Sequence, residues 1–119
     1  MARLLAMPGA IGLLAVQNAD PCAFLLARRV ADEAEILTLG TRPFARRRGA
    51  AKLLIEQLQS KIAQKGAHAL YIEVALGNTP ARQLYRAFGF VDAGLRKSYY
   101  EKPGGMREDA VVMRKDLVA

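Results

Sequence analysis

The stretch GNTPARQLYRAFGF, residues 77–90, constrains the fold most, because it encodes a short helix with both ends marked. Asn78 is a favoured N-cap residue, and Pro80 is tolerated in a first helical turn. The apolar stripe at helical spacing comprises Ala81, Leu84, Tyr85 and Phe88. Gly89 followed by Phe90 indicates a Schellman ending, in which the residue after the glycine contacts the last helical turn. We therefore predict a short amphipathic helix here.

A longer helical pattern runs from Arg47 to Lys65. Its apolar positions recur at helical spacing and comprise Ala51, Leu54, Ile55, Leu58 and Ile62. Lysine, glutamate and glutamine occupy the opposite side. Gly66 lies just beyond the pattern and fits a C-terminal cap. The pattern predicts a helix with one buried face.

Short apolar runs bounded by turn signals predict six strands. They are residues 11–18, 22–31, 34–41, 69–75, 91–100 and 106–115. We expect turns at residues 19–21 and 102–105, and the end of a helix at residues 2–7. The order strand, strand, strand, helix, strand, helix, strand, strand predicts a single α+β domain over residues 1–119. Its mixed, mostly antiparallel sheet would be flanked by the helices.

The composition excludes several classes of protein. With 52% apolar and 24% charged residues in a chain of 119, we expect a globular domain rather than a disordered chain. Cys22 is the only cysteine, which excludes an internal disulfide and favours a cytoplasmic location. His68 is the only histidine, so a multi-histidine metal site is excluded and we predict no metal. Pro8-Gly9 interrupts the N-terminal apolar run, which argues against a secretory signal, and we expect no membrane span.

The basic stretch RRRGAA, Arg46 to Ala51, admits three interpretations in a chain of net charge +7. It could be a solvated helix start, a nucleic-acid surface or an anion site. A helix start directs unpaired N–H groups outward, and Gly49 would let a phosphate approach the backbone. The chain has no tryptophan, and residues 47–65 contain no aromatic side chain, so we expect no direct nucleic-acid contact. The spacing does not match a P-loop.

Two motifs carry a family resemblance. P-x-x-R-x-x-G-x-A, from Pro43 to Ala51, resembles the acetyl-CoA pyrophosphate loop of the GNAT superfamily of N-acetyltransferases. The residues from Asn78 to Phe90 are similar to its second signature, N-x-x-A-x-x-L-Y-x-x-x-G-F. The C-terminal stretch RKSYYEKPGGMREDAVVM is similar to the end of the RimI-type branch. The resemblance implies the GNAT fold, shortened at its N-terminus by a strand and helix.

The resemblance also implies how the co-substrate acetyl-CoA would be held. Leu39 and Thr41, on the strand before the basic loop, would pair their backbones with the pantetheine arm. Asn78 would contact the cofactor. The backbone N–H groups that would bind the pyrophosphate belong to Arg47, Arg48, Gly49, Ala50, Ala51 and Lys52.

Two further residues match the acid–base pair of the family. Glu73 matches the general base and Tyr85 the general acid. An N-terminal amine has a pKa of ~7.7–8.0, so a carboxylate or its bound water must accept a proton before the amine attacks. The departing thiolate could take a proton from a tyrosine hydroxyl. Two alternatives stay open: Glu73 could be a strand charge that reaches water or an arginine, and Tyr85 could be a core residue.

The acceptor implied by the RimI-type resemblance is the N-terminal alanine of ribosomal protein S18. The alternatives are another amine acceptor, or an acetyl-CoA-binding module without catalysis. Glu101, Glu108 and Asp109 lie near the C-terminal hairpin and could form an acidic groove for a basic N-terminus. An exposed strand edge at the shortened end would favour a homodimer.

Overall fold

The computed structural model describes residues 8–42, 49–101 and 103–117, and the side chains of residues 100 and 101 are excluded. The elements are β1 (Ala10–Gln17), β2 (Asp20–Val30), β3 (Glu33–Thr41), α1 (Ala50–Gln64), β4 (Ala69–Ala75), α2 (Thr79–Ala87), β5 (Val91–Glu101) and β6 (Arg107–Asp116). The strands form one six-stranded sheet in the order β1-β2-β3-β4-β6-β5. The α+β class and the element order predicted from the sequence are confirmed.

The chain divides into two compact units. The first comprises Met1–Leu70 with Leu117–Ala119, and the second comprises Tyr71–Asp116. Within the first unit, β1, β2 and β3 form an antiparallel meander. α1 packs against all three strands. The single-domain organisation stays a prediction.

The core of the first unit follows the predicted apolar pattern of α1. Its buried positions are Leu54, Ile55, Leu58 and Ile62, whereas Ala51 is half-buried. On the strands, Leu25, Leu26 and Ala27 are at most 2% exposed. Burial of a side chain such as leucine stabilises by about 1.5–3 kcal/mol, so this helix face supplies much of what holds the helix on the sheet.

The turn between β1 and β2 differs from the prediction. A turn was expected at residues 19–21, but the strands are joined by the two-residue turn Asn18-Ala19, and Asp20 already pairs with Gln17. Asn18 and Ala19 have φ values of 52° and 68°. Two-residue hairpins favour a turn with positive φ at both central residues, and asparagine reaches that conformation readily. Pro21 is accommodated near the start of β2, where proline is tolerated.

The C-terminal end of α1 matches the expected glycine cap. The N–H of Gly66 donates to the carbonyl of Ala63 at 3.0 Å, and the N–H of Ala67 donates to the carbonyl of Ile62 at 2.9 Å. This is a Schellman arrangement, and Gly66 has the required positive φ of 88°. The helix was expected to begin at Arg47. It begins at Ala50, and residues 43–48 lie outside the described part of the chain.

In the second unit, α2 has both of the ends that its sequence predicts. Asn78 Oδ1 accepts the N–H of Ala81 at 3.3 Å. At the other end, the N–H of Phe90 donates to Tyr85 and that of Gly89 to Arg86, each at 3.0 Å. The predicted stripe is only partly buried, because Tyr85 is 8% exposed but Leu84 is 39% exposed.

β5 and β6 form an antiparallel hairpin whose register shifts twice. The shifts lie between Asp92 and Gly94 and between Arg96 and Tyr100. Within the second irregularity, Ser98 adopts a left-handed φ of 53°, which is uncommon for serine. We refer to residues 97–99 as the β5 bulge. Such a bulge bends its strand and redirects neighbouring side chains.

Candidate functional site

The proposed acid–base residues lie in the second unit, and Glu73 is placed by the alternation of β4. Leu70, Ile72 and Val74 are buried, while Tyr71 and Glu73 occupy the less buried face, as predicted. The Glu73 side chain is 16% exposed. Its Oε1 accepts a hydrogen bond from Arg96 Nη1 at 2.7 Å. The sequence alternative in which Glu73 reaches an arginine is therefore observed.

Arg96 has a second partner that orients its guanidinium. Its Cζ atom lies 4.0 Å from the centre of the Tyr99 ring, at which distance a cation–π attraction operates. The hydrogen bond to Glu73 raises the pKa of Arg96 above its ordinary value, because it favours the charged guanidinium. Arg96 is therefore a permanent cation beside Glu73. No local sequence pattern indicates this pair, because 23 residues separate its members.

Tyr85 is buried in the second half of α2. Its ring meets that of Phe90 edge to face, with centroids 5.8 Å apart and planes at 68°. This is the hydrophobic contact that accompanies a Schellman ending. The structure thus gives Tyr85 a packing role, which was the alternative considered from the sequence. A packing role does not exclude proton donation, which stays a prediction.

Asn78 acts as the N-cap of α2 through its contact with Ala81. A capping side chain compensates one of the unpaired N–H groups at a helix start. This confirms the structural role predicted for Asn78. Its contact with the cofactor stays a prediction.

The expected cofactor-binding residues belong to β3 and α1, in the first unit. Leu39 pairs with Leu25, and Thr41 pairs with Ala23, both across the antiparallel β2–β3 ladder. Thr41 also lines a hollow of about 390 Å³ at this end of the meander, together with Cys22, Phe24 and other residues. The end of β3 at which the pantetheine arm was predicted therefore borders this hollow.

The start of α1 has features that suit an anion. Gly49 precedes the helix with φ 81°, and a Cβ built on it would meet none of the described atoms within 4 Å. Among the described residues, no side chain caps the helix start, and its first turn contains no acidic residue. The first N–H groups of a helix lack intrahelical partners and lie at the positive end of its dipole. Backbone and charge at this position therefore fit a pyrophosphate.

The remaining residues assigned to the pyrophosphate differ in what the structure describes. Ala50 and Ala51 are half-buried in the first turn of α1. The Lys52 ammonium lies 3.9 Å from the Glu56 carboxylate, with both side chains largely exposed. Arg47 and Arg48 lie outside the described residues.

Sequence patterns did not predict the contacts of Arg107, Glu108 and Asp109, at the start of β6. Glu108 Oε2 accepts the N–H of Gly77 at 2.6 Å. Asp109 Oδ1 accepts the N–H of Ser98 at 2.7 Å. These two carboxylates were considered for an acidic groove, but in the structure they bind backbone N–H groups. The sequence shows only that they belong to a charged triplet, which precedes an apolar run.

No described helix has the length and apolar character needed to cross a membrane. Across residues 8–42, 49–101 and 103–117, no group of three or more His, Cys, Asp or Glu could hold a metal ion.

Comparison with known proteins places the chain among acetyltransferases. It matches the Acetyltransferase (GNAT) family over residues 2–90. It is 37% identical over 103 residues to the ribosomal protein bS18-alanine N-acetyltransferase of Haemophilus influenzae, and 35% identical over 97 residues to that of Escherichia coli K12. These alignments cover 87% and 82% of this chain and 70% and 65% of the two relatives. The chain thus spans about two thirds of their length.

The same similarity holds in three dimensions. The crystal structure of the ribosomal-protein-S18-alanine N-acetyltransferase from Escherichia coli superimposes with a TM-score of 0.88 and 30% identity. The match covers 99% of this chain and 75% of that chain. The described residues therefore share the fold of the corresponding part of that enzyme.

Proposed function

Because the chain belongs to the GNAT acetyltransferase family, we propose that it is an acetyl-CoA-dependent N-acetyltransferase that modifies a protein N-terminus. The acceptor we propose is the N-terminal alanine of ribosomal protein bS18. The observation that carries this acceptor is the 37% identity to the bS18-alanine N-acetyltransferase of Haemophilus influenzae. Acetyl transfer is supported by the proposed cofactor-binding residues on β3 and α1. It is also supported by the proposed base on β4 and the proposed acid on α2.

In the proposed site, the co-substrate supplies an acetyl thioester. The backbones of Leu39 and Thr41 would bind its pantetheine arm. The N–H groups at the start of α1, with Arg47, Arg48 and Lys52 nearby in the sequence, would bind its pyrophosphate. Asn78 would add a contact from the start of α2. The helix start at Gly49 supports this assignment, because no described side chain would separate a phosphate oxygen from the backbone there.

Glu73 is the proposed base. The incoming N-terminal amine is largely protonated at neutral pH and must lose a proton before its nitrogen can attack the acetyl carbon. A carboxylate has two oxygens and about four acceptor positions, so a bond to Arg96 is compatible with a further contact to an amine or water. The role of Arg96 would then be to hold the carboxylate in one orientation.

Tyr85 is the proposed acid. When the new amide forms, the carbon–sulfur bond breaks and the thiolate of CoA takes up a proton. The hydroxyl of Tyr85 would donate that proton. The proposal is supported by the position of Tyr85, whose ring is fixed by Phe90 at the end of α2. No covalent intermediate on the enzyme is needed.

The decisive experiment is acetyl transfer to a peptide that carries the bS18 N-terminal sequence. Mass spectrometry should find the acetyl group on the α-amine. The same peptide with its α-amine blocked should not react, which separates N-terminal from lysine acetylation. Turnover with a small amine but not with the peptide would move the chain to another acceptor. Calorimetric binding of acetyl-CoA without transfer to any acceptor would favour a binding module.

Self-association is proposed separately. Among the described strands, β1 is terminal in the sheet, and its Leu14 and Val16 side chains are 60% and 53% exposed. Exposed apolar edge strands favour pairing with another chain. Light scattering across a concentration series tests for the homodimer.

A further inference from the structure

Three charged residues at the start of β6, Arg107-Glu108-Asp109, have no part in the chemistry proposed above. We refer to them as the RED segment. Besides pairing with the end of β5, these residues contact two backbone sites outside β6. One is the turn between β4 and α2, and the other is the β5 bulge.

The turn between β4 and α2 is bound to the RED segment at two successive residues. The carbonyl of Asp109 accepts the N–H of Leu76 at 2.8 Å. The carboxylate of Glu108 accepts the N–H of Gly77 at 2.6 Å. Hydrogen bonds to an ionised acceptor are shorter and stronger than neutral ones. This turn is the connection between the strand that carries Glu73 and the helix that carries Tyr85.

Gly77 is fitted to this carboxylate. A Cβ built on it would lie 2.5 Å from Glu108 Oε2, closer than real Cβ atoms approach. The φ angle of Gly77 is not positive, so the backbone conformation at this position would accept alanine. Alanine at this position would therefore displace the Glu108 carboxylate, although the backbone conformation itself would accept it.

The β5 bulge is bound to the same segment. Asp109 Oδ1 accepts the N–H of Ser98 at 2.7 Å, and Arg107 Nη1 donates to the carbonyl of Ser98 at 3.3 Å. The bulge begins directly after Arg96, which pairs with Glu73. One segment thus fixes both the turn that follows Glu73 and the strand that supplies its ionic partner.

We propose that Glu108 is a positioning residue of the acetyl-transfer site, which acts through the N–H of Gly77 to set Glu73 relative to Tyr85. The inference rests on the proposed function, since it assigns those two residues to one reaction. Catalytic groups must be held in productive geometry, and a displacement of about 1 Å can cost about a hundredfold in rate. A carboxylate that anchors the connecting turn is well placed to prevent such a displacement.

The test compares variants of Glu108 in steady-state transfer to the bS18 peptide. Glu108→Ala should lower kcat by about ten- to a hundredfold and leave KM for acetyl-CoA nearly unchanged. Glu108→Gln retains an acceptor oxygen and should recover most of kcat. Asp116→Ala is the matched control, because it removes a 77% exposed carboxylate, paired with Arg114, from the same strand. It should leave kcat unchanged.

A second pair of variants isolates the Glu108–Gly77 contact. Gly77→Ala should lower kcat in the native background, because the methyl group displaces the carboxylate. It should add little in the Glu108→Ala background, where that carboxylate is absent. Equal effects in the two backgrounds, or wild-type kcat in Glu108→Ala, would overturn the positioning role. If Glu108→Ala fails to fold, Glu108→Ser serves as the second background, because its short side chain also lacks the carboxylate that the methyl group would displace.

A readout independent of activity separates this inference from the proposed function. Amide hydrogen exchange at Leu76 and Gly77 should accelerate in Glu108→Ala and not in Asp116→Ala. Unchanged exchange at these amides would overturn the anchoring of the turn, whatever the enzyme acetylates. Absence of transfer by the wild-type chain to any acceptor would instead overturn the proposed function, and with it the catalytic part of the inference.

Discussion

Arg96 and Glu73 face each other across 2.7 Å, with the arginine held over the Tyr99 ring. This relationship joins two residues on different strands of one unit. It gives the proposed base a permanent cationic neighbour, because the pKa of Arg96 is raised above its ordinary value by the hydrogen bond to Glu73. The charge of Arg96 is therefore constant over any practical assay range.

Replacement of Glu73 by glutamine tests the base. Glu73→Gln keeps the shape and a hydrogen-bond acceptor but cannot take a proton, so kcat should fall by about a hundredfold or more. Affinity for acetyl-CoA, measured by calorimetry, should change little. Glu33→Gln removes an exposed carboxylate from the start of β3 and is the matched control. Wild-type activity of Glu73→Gln across the pH range would exclude Glu73 as the base.

Removal of the hydroxyl of Tyr85 separates its two possible roles. Tyr85→Phe keeps the edge-to-face contact with Phe90, so thermal stability should be nearly retained while kcat falls by about tenfold or more. Tyr85→Ala should instead cost about 3–5 kcal/mol of stability, because a buried aromatic ring is lost. Full activity in Tyr85→Phe would leave only the packing role.

The glycine before α1 can be tested against a glycine of similar conformation at the other end of the helix. Gly49 and Gly66 have φ values of 81° and 88°, and no atom of the described residues lies within 4 Å of a Cβ built on either glycine. Alanine at either position should cost about 1–2 kcal/mol of stability through the left-handed backbone.

The two glycine variants should differ in their affinity for acetyl-CoA. Only Gly49→Ala should weaken the affinity, by a few-fold to tenfold. A loss of that size corresponds to the net free energy of one hydrogen bond between the backbone and the pyrophosphate. Equal calorimetric affinities for Gly49→Ala and Gly66→Ala would remove the pyrophosphate from the start of α1.

Acid should weaken one ionic contact of the first unit. His68 Nε2 lies 2.7 Å from Asp32 Oδ2, and this hydrogen bond lowers the pKa of Asp32 below its ordinary 3.8. The folded chain therefore binds this proton less readily than the unfolded chain. The resulting stability is present above the ordinary pKa and is lost as the pH falls through the lowered value.

Asp32→Asn should accordingly lower Tm slightly near neutral pH, and its difference from the wild type should shrink as the solution is acidified. The effect is small because the two side chains are 54% and 62% exposed. Thermal unfolding followed by circular dichroism measures it. A difference in Tm that is constant with pH would exclude the pair as its cause.

The features that the sequence predicted correctly depend on near neighbours in the chain. Both ends of α2 were predictable, because Asn78 caps a residue three positions away and Gly89 closes the helix on Arg86. The turn after β1 was predicted wrongly, because Asp20-Pro21 is itself a turn signal. The turn lies instead at Asn18 and Ala19, both of which have positive φ values.

The site was predictable only in part, for a related reason. The family motifs pointed to Glu73, Asn78 and Tyr85. The contacts around them join residues far apart in sequence, such as Gly77 and Glu108, which are 31 positions apart. A pattern in one sequence does not show which residues of distant strands lie opposite each other. Neither the Arg96–Glu73 pair nor the hydrogen bond from Gly77 to Glu108 could therefore be inferred from it.

The contact between Tyr85 and Phe90 has a consequence for directed evolution of this chain. A library randomised at position 85 would be selected for two properties at once. Sorting for folded protein should recover aromatic residues in general, since the ring closes the end of α2. Sorting for acetyl transfer should demand a hydroxyl as well. Tyrosine is the only one of the twenty residues with both an aromatic ring and a hydroxyl group. A library selected for folding and for acetyl transfer together should therefore return tyrosine at this position almost exclusively.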